Sequence, residues 1–108
     1  MLRTPSLDAY VIDALMPDLV GHDRQPSAFI VYLYLWRHAR GGRTKRATAS
    51  LQRIAADTGL SKSAVQQAIR TLRRRRLLQS RQASATAVPE YTLLQPWRRS
   101  WSASIGGL

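Results

Sequence analysis

No cysteine occurs among the 108 residues, so the chain can build neither a disulfide framework nor a thiolate metal site. That absence suits a reducing compartment. Long apolar runs are missing as well: the longest, AFIVYLYLW from Ala28 to Trp36, falls far short of the roughly 20 residues that span a bilayer. The N-terminus carries a single Arg3, and its apolar residues are interrupted by Asp8 and Asp13, which is not a secretory pattern. A cytoplasmic protein with no membrane contact is expected. Negative charge is the third scarcity. Six Asp and Glu stand against 17 Lys and Arg, a net charge of +11, and no acid lies between Thr58 and Glu90. A balance this uneven speaks of polyanionic partners such as DNA, RNA or an acidic membrane surface. The exception is the N-terminus, where residues 1–23 hold four aspartates and one arginine.

Catalytic signatures are also lacking. There is no Gly-rich phosphate loop, no nucleophile motif and no constellation of paired carboxylates. His22 beside Asp23 and His38 on an apolar segment read as surface histidines. An enzyme is not expected, and neither a metal, a cofactor nor a small-molecule effector is implied.

What is present reads mostly as helix. Ser6 can cap a first helix in which Leu7, Tyr10, Val11, Ala14 and Leu15 recur at helical spacing, with Pro17 as its end. Pro, Gly and Asp in residues 17–25 suggest a loop. Pro26 suits a first helical position, and the spacing predicts a helix over 26–40 that Gly41 and Gly42 stop. That helix is apolar nearly all round, so it must be covered on more than one side, either by the N-terminal helix or by another subunit. The basic segment GGRTKRATAS reads as a loop. Ser50 can then cap a helix over 51–57, Gly59 can supply the positive φ of a tight turn, and Ser61 can cap a second helix from Lys62. Ile54, Ala55, Leu60, Val65, Ala68, Ile69 and Leu72 form the apolar set that joins the two. Residues 77–82 and 90–94 read as two strands around a small-residue loop.

Ala55, Gly59, Leu60, Val65 and Ile69 fall at the spacing of a helix-turn-helix motif. With the YLYLW helix before it and the strand pair after it, the stretch 26–95 resembles the winged helix-turn-helix domains of bacterial regulators and replication-initiator-like proteins. The resemblance implies a mainly α fold with a small β-hairpin wing in a single domain. It divides the chain into an N-terminal helix and loop over 1–25 (a candidate dimer arm), the winged helix-turn-helix domain over 26–95, and a C-terminal tail over 96–108. It also implies sequence-specific binding of double-stranded DNA, as a transcriptional regulator or a replication or partition accessory protein. The alternative is a winged-helix module that binds RNA or a protein. One departure stands out: where many such domains place glycine just before the first wing strand, this chain has Arg76.

The DNA-facing residues also follow from periodicity. At about 100° per residue, Ala68, Ile69 and Leu72 lie within about 60° of Val65, which leaves Ser63, Gln67, Arg70 and Arg74 opposite and Gln66 at the edge. Gln pairs with adenine, Arg with guanine, and Ser with either base type or phosphate. The resemblance places base readers near the start of the same helix, at Lys62, Ser63, Gln66, Gln67 and Arg70, with the capping Ser61 beside them. Phosphate contacts are expected from Arg43, Lys45, Arg46, Arg53 and, at the base of the wing, Arg81. Among the four consecutive arginines, Arg74 continues the DNA-facing line and Arg73 and Arg75 fall on opposite flanks. Arg76 is expected to end the helix in a left-handed conformation. A homodimer is expected, with the helix over 28–36 and the acidic N-terminal segment as its seam, because a single recognition helix reads few base pairs. Trp97 is expected to dock the tail on the domain together with Trp101.

Overall fold

The structure, a computed structural model, describes residues 6–41 and 44–98. Pro26 opens α1 (Pro26–His38) at its first turn, where a missing N–H costs nothing. The helix buries Ala28, Phe29, Val31, Tyr32, Leu35 and Trp36. It ends two residues earlier than the glycines suggest, because Ala39 turns extended at ψ 147°. Arg40 then exchanges two backbone hydrogen bonds with Arg46, at 2.7 and 2.9 Å, and so is drawn out of the helix. Gly41 follows at φ +100°, where a Cβ would collide with the Thr44 carbonyl oxygen.

That exchange leads into a strand the sequence does not announce. Residues Lys45–Thr48 form β1 rather than a loop. The helix pair follows, α2 (Leu51–Thr58) and α3 (Lys62–Arg74). Then come β2 (Leu78–Arg81) and β3 (Glu90–Leu93), one or two residues shorter than expected. Three antiparallel strands lie in the order β1-β3-β2, so the expected hairpin wing is part of a three-stranded sheet. In register, Lys45 and Leu78 flank Leu93, Arg46 and Gln79 flank Thr92, Ala47 and Ser80 flank Tyr91, and Thr48 and Arg81 flank Glu90. Since side chains alternate between faces, Ala47, Leu78, Tyr91 and Leu93 share the buried face. Arg46, Gln79, Arg81, Glu90 and Thr92 share the other.

The N-terminal helix does not stop at Pro17. Residues Val11–Leu15 and Pro17–His22 are wound as π-helix around Met16, with i→i+5 bonds from Met16 N–H to Val11 and from Asp23 N–H to Asp18. In α-helical winding the Pro17 ring would strike the carbonyl of Asp13; wider winding relieves that clash, and Pro17 opens the second stretch, where no donor is needed. Continuing the helix brings Val11, Leu15 and Leu19 onto one side, all buried in the same apolar cluster as α1. The second side of α1 is therefore covered largely within the chain, with Ile30 the large apolar residue of that helix still exposed.

The end of α3 is fixed from two directions. Arg76 takes the left-handed conformation at φ 58°, and the Leu77 N–H then donates to the Leu72 carbonyl at 2.9 Å. Arg75 does not extend to a flank of a DNA groove as the wheel suggests. Its guanidinium reaches back to the N-terminal segment, ion-paired with Asp18 through Nη2 and with Asp23 through Nε at 3.3 Å.

The left-handed Arg76 generates a test. A residue with a Cβ loses about 1–2 kcal/mol there relative to glycine, so Arg76→Gly should raise the thermal midpoint or leave it unchanged. Gly41→Ala, which drives a methyl group into backbone, should lower it. Thermal melts by circular dichroism check both signs.

Candidate nucleic-acid interface

The geometry of the helix pair follows from local chemistry. Ser50 Oγ accepts from the Arg53 N–H at 3.0 Å and caps α2. Gly59 takes the left-handed conformation at φ 82°, and Thr58 braces the turn by donating to the Ile54 carbonyl and accepting from the Leu60 N–H. Ser61 Oγ accepts from the Ala64 N–H at 3.0 Å and caps α3. With that acceptor engaged, the Ser61 hydroxyl proton stays available to donate. These caps aim α3 so that Val65, Ala68, Ile69, Thr71 and Leu72 are buried.

The opposite face carries the side chains the periodicity places there. Lys62, Ser63, Gln66, Gln67, Arg70 and Arg74 are all exposed, and none makes a side-chain hydrogen bond or ion pair with a described residue. Beside this face, α3 and the wing enclose an open groove of 330 Å³ lined by Gln66, Ile69, Arg70, Arg73, Ser80, Arg81, Gln82 and Tyr91. Arg81 therefore stands beside α3, as expected of a residue at the wing base. Two further residues enter the groove: Arg73, which the wheel puts on a flank, and Gln82, which sequence reasoning leaves out. Gln82 Nε2 donates to the carbonyls of Ala85 and Ala87 at 3.2 and 2.6 Å, which shapes the wing loop. Burial pushes the Tyr91 hydroxyl above its ordinary pKa, against the smaller opposing effect of nearby Arg73.

The remaining basic residues go elsewhere. Lys45 Nζ lies 5.0 Å above the Trp36 ring, a cation–π contact that holds it against the domain. Arg53 Nε donates to Asp57 at 2.9 Å, and the same carboxylate oxygen accepts from the Tyr34 hydroxyl at 2.6 Å. Those two donors, Tyr34 first, hold the Asp57 carboxyl below its ordinary value of 3.8. Arg46 stands on the outer sheet face, and Arg43 lies outside the described residues. Trp97 docks as expected, stacked on Tyr10 with ring centroids 4.7 Å apart and donating to Asp8 at 3.1 Å; Trp101 lies outside the described residues. Among the described residues Asp18, His22 and Asp23 bring their ligand atoms within 4.8 Å of one another, but Arg75 engages both carboxylates, so the group serves the ion pair.

A capped helix, a glycine turn and a second capped helix with an outward basic face decide the family. Residues 25–78 match the family model of the helix-turn-helix domain. The chain belongs to the helix-turn-helix domain family. The matched stretch starts one residue before α1 and ends on the first residue of β2, so the helix-turn-helix unit lies inside it while the π-helical segment and β3 lie outside. No curated protein and no solved structure matches the chain. No helix among the described residues is long and apolar enough to cross a membrane.

Two consequences can be measured. Ser61→Ala removes the cap of α3 and should cost about 1 kcal/mol of stability, read as a lower thermal midpoint. For Asp57, a carboxyl held below its unfolded value stabilises the fold at neutral pH, and that contribution is lost as pH falls through the folded value. The midpoint difference between the native chain and Tyr34→Phe should therefore shrink as the pH drops below 3.8.

Proposed function

We propose that this helix-turn-helix protein binds double-stranded DNA sequence-specifically, with α3 in the major groove and the wing against the adjoining backbone. The observation that carries the reading is the exposed row of Lys62, Ser63, Gln66, Gln67, Arg70 and Arg74 on α3, unpaired with any described residue and free of acids. Gln67 and Arg70 sit where base edges are met and have the donors and acceptors to distinguish them. Ser61, Lys62 and Ser63, at the helix start, suit a phosphate, since backbone N–H groups there point outward. Arg81 suits a phosphate across the groove from Arg70. Lys45 and Arg53 are held by Trp36 and Asp57, which makes them the weaker candidates for direct contact.

Duplex DNA is favoured over single-stranded RNA by where the aromatics lie. Bases of single strands are held by stacking, yet Tyr32 and Trp36 are buried, Tyr10 and Trp97 stack on one another, and α3 has no aromatic residue. The role is that of a binding protein, a transcriptional regulator or a replication or partition accessory, and not of an enzyme. A homodimer completes the reading. With α1 largely covered, the apolar residues left for a second copy are Ile12, Met16 and Val20 on the π-helical segment and Ile30 on α1, each about 40% exposed.

If Gln67 and Arg70 read bases, replacing either with Ala should cost about 1–3 kcal/mol and relax preference at one or two base pairs. Binding selections on randomised duplexes check this; loss spread evenly over all sequences would demote both to phosphate contacts. Arg74→Ala should weaken DNA binding while the thermal midpoint stays constant. Sedimentation at tens of micromolar, with and without DNA, tests the dimer, and a monomer under both conditions removes it.

A further inference from the structure

The acids of this chain are unevenly spent. Asp18 and Asp23 hold Arg75, Asp57 holds Arg53, and Asp8 lies 3.8 Å from Arg98. Other arginines have no such partner, among them Arg46, Arg73, Arg76 and Arg81, which form no ion pair with a described residue. They come from three separate elements, β1, α3 with its left-handed terminus, and β2, and they converge on one place. Together with Thr44, Gln79, Ser80 and Thr92 they line an open groove of 940 Å³ along the outer sheet face, where Glu90 is the sole acid.

This groove is not the one beside the recognition helix, although the two touch. The pleat sends Arg46 and Gln79 to the face opposite Tyr91, and Tyr91 lines the groove beside α3. Arg73, Ser80 and Arg81 line both grooves, so the cationic surface runs without a break from Arg70 on α3, past Arg73 and Arg81, to Arg76 and Arg46. A straight duplex lying along α3 is tangent to a body about 35 Å across and cannot follow that turn. Bringing four like charges together beside a single acid is unfavourable, and polyphosphate backbones are the partners that relieve such a concentration by releasing their own condensed ions.

We propose that the outer sheet face, through Arg46, Arg76, Arg73 and Arg81, is a second phosphate-binding surface that takes a DNA backbone beyond the segment lying along α3. It rests on the reading of α3 as the first DNA surface. The backbone can come from the same duplex bent toward the sheet or from a second duplex, and hydroxyl and amide groups at Thr44, Gln79 and Thr92 supply neutral donors beside the arginines. Sequence is not read here, because no element of this face projects a helix or an edge into a groove.

The test uses the full chain and the double variant Arg76→Gln with Gln79→Glu. Both positions are exposed, neither lies on α3, and glutamine at residue 76 keeps the same backbone demand as arginine. Thermal melts confirm that the variant is folded. Binding is measured against a duplex of about 14 base pairs, little longer than one helical turn, and against one of about 40 base pairs with the same central site. The expected result is unchanged affinity for the short duplex, weaker binding of the long duplex, and a salt slope on the long duplex shallower by about one unit. If a second duplex is the source, the native chain instead brings two differently labelled short duplexes into energy-transfer range, and the double variant does not. Equal affinity and slope on the long duplex, with no bridging to lose, overturns the proposal and leaves these arginines solvated. Equal loss on short and long duplexes also overturns it, since the outer face would then belong to the α3 site. Failure of the α3 reading looks different: Gln67→Ala and Arg70→Ala would leave all binding intact.

Discussion

Everything in this fold answers to one helix that has to be covered from several directions. α1 buries six of its residues, and its apolar surface goes most of the way round, so no single neighbour can cover it. Three do. The π-helical segment supplies Val11, Leu15 and Leu19, α3 supplies Val65, Ala68, Ile69 and Leu72, and the sheet supplies Ala47, Leu78 and Leu93 to the same cluster. The polar atoms caught in this burial are matched. Tyr32 donates to the Leu94 carbonyl and Trp36 to the Ser6 carbonyl at 3.0 and 2.6 Å, and among the described residues no buried side-chain donor or acceptor lacks a partner. The orientation of α3 thus depends on a helix that never approaches the proposed DNA surface.

Charge is the second organiser, and it works by segregation. Aspartates concentrated near the N-terminus are spent on the back of the domain: Asp18 and Asp23 hold the end of α3 through Arg75, while Asp8 meets Trp97 and lies near Arg98. Arg75, next in sequence to Arg74 of the exposed α3 row, is thereby turned into a strut between the last turn of α3 and the π-helical segment. The α3 face keeps its positive charge undiluted because its potential counterions are occupied elsewhere.

What the sequence discloses and what it hides divide along the range of the interactions involved. Ser50, Gly59, Ser61 and Arg76 act on backbone within a few residues, and each does what its local chemistry predicts. The buried stripe of α3 is equally legible, since its period is set by the helix itself. β1 is not legible: KRAT shows no apolar alternation, and it becomes a strand because Lys45 finds Leu93 and Ala47 finds Tyr91 across the sheet. Pro17 misleads because a local rule for ending helices loses to the burial of Leu19 against α1. Of the site residues, the row on α3 is placed by periodicity. The fate of Lys45 and Arg75 is decided by Trp36 and Asp18, partners 9 and 57 positions away in the chain that no spacing rule connects to them, whereas Arg53 meets Asp57 one helical turn on.

The stacking of Trp97 on Tyr10 has a topological meaning. With Trp97 also bonded to Asp8, the two ends of the described chain meet, and the path from residue 8 to residue 97 is nearly a closed ring. In a ring the order in which elements are joined is a matter of where it is cut. A short linker between the paired ends and a new opening in the exposed wing loop over 83–86 would give a circular permutant with the same core, in which β3 leads the chain and α3 comes next to last yet lies in the same place.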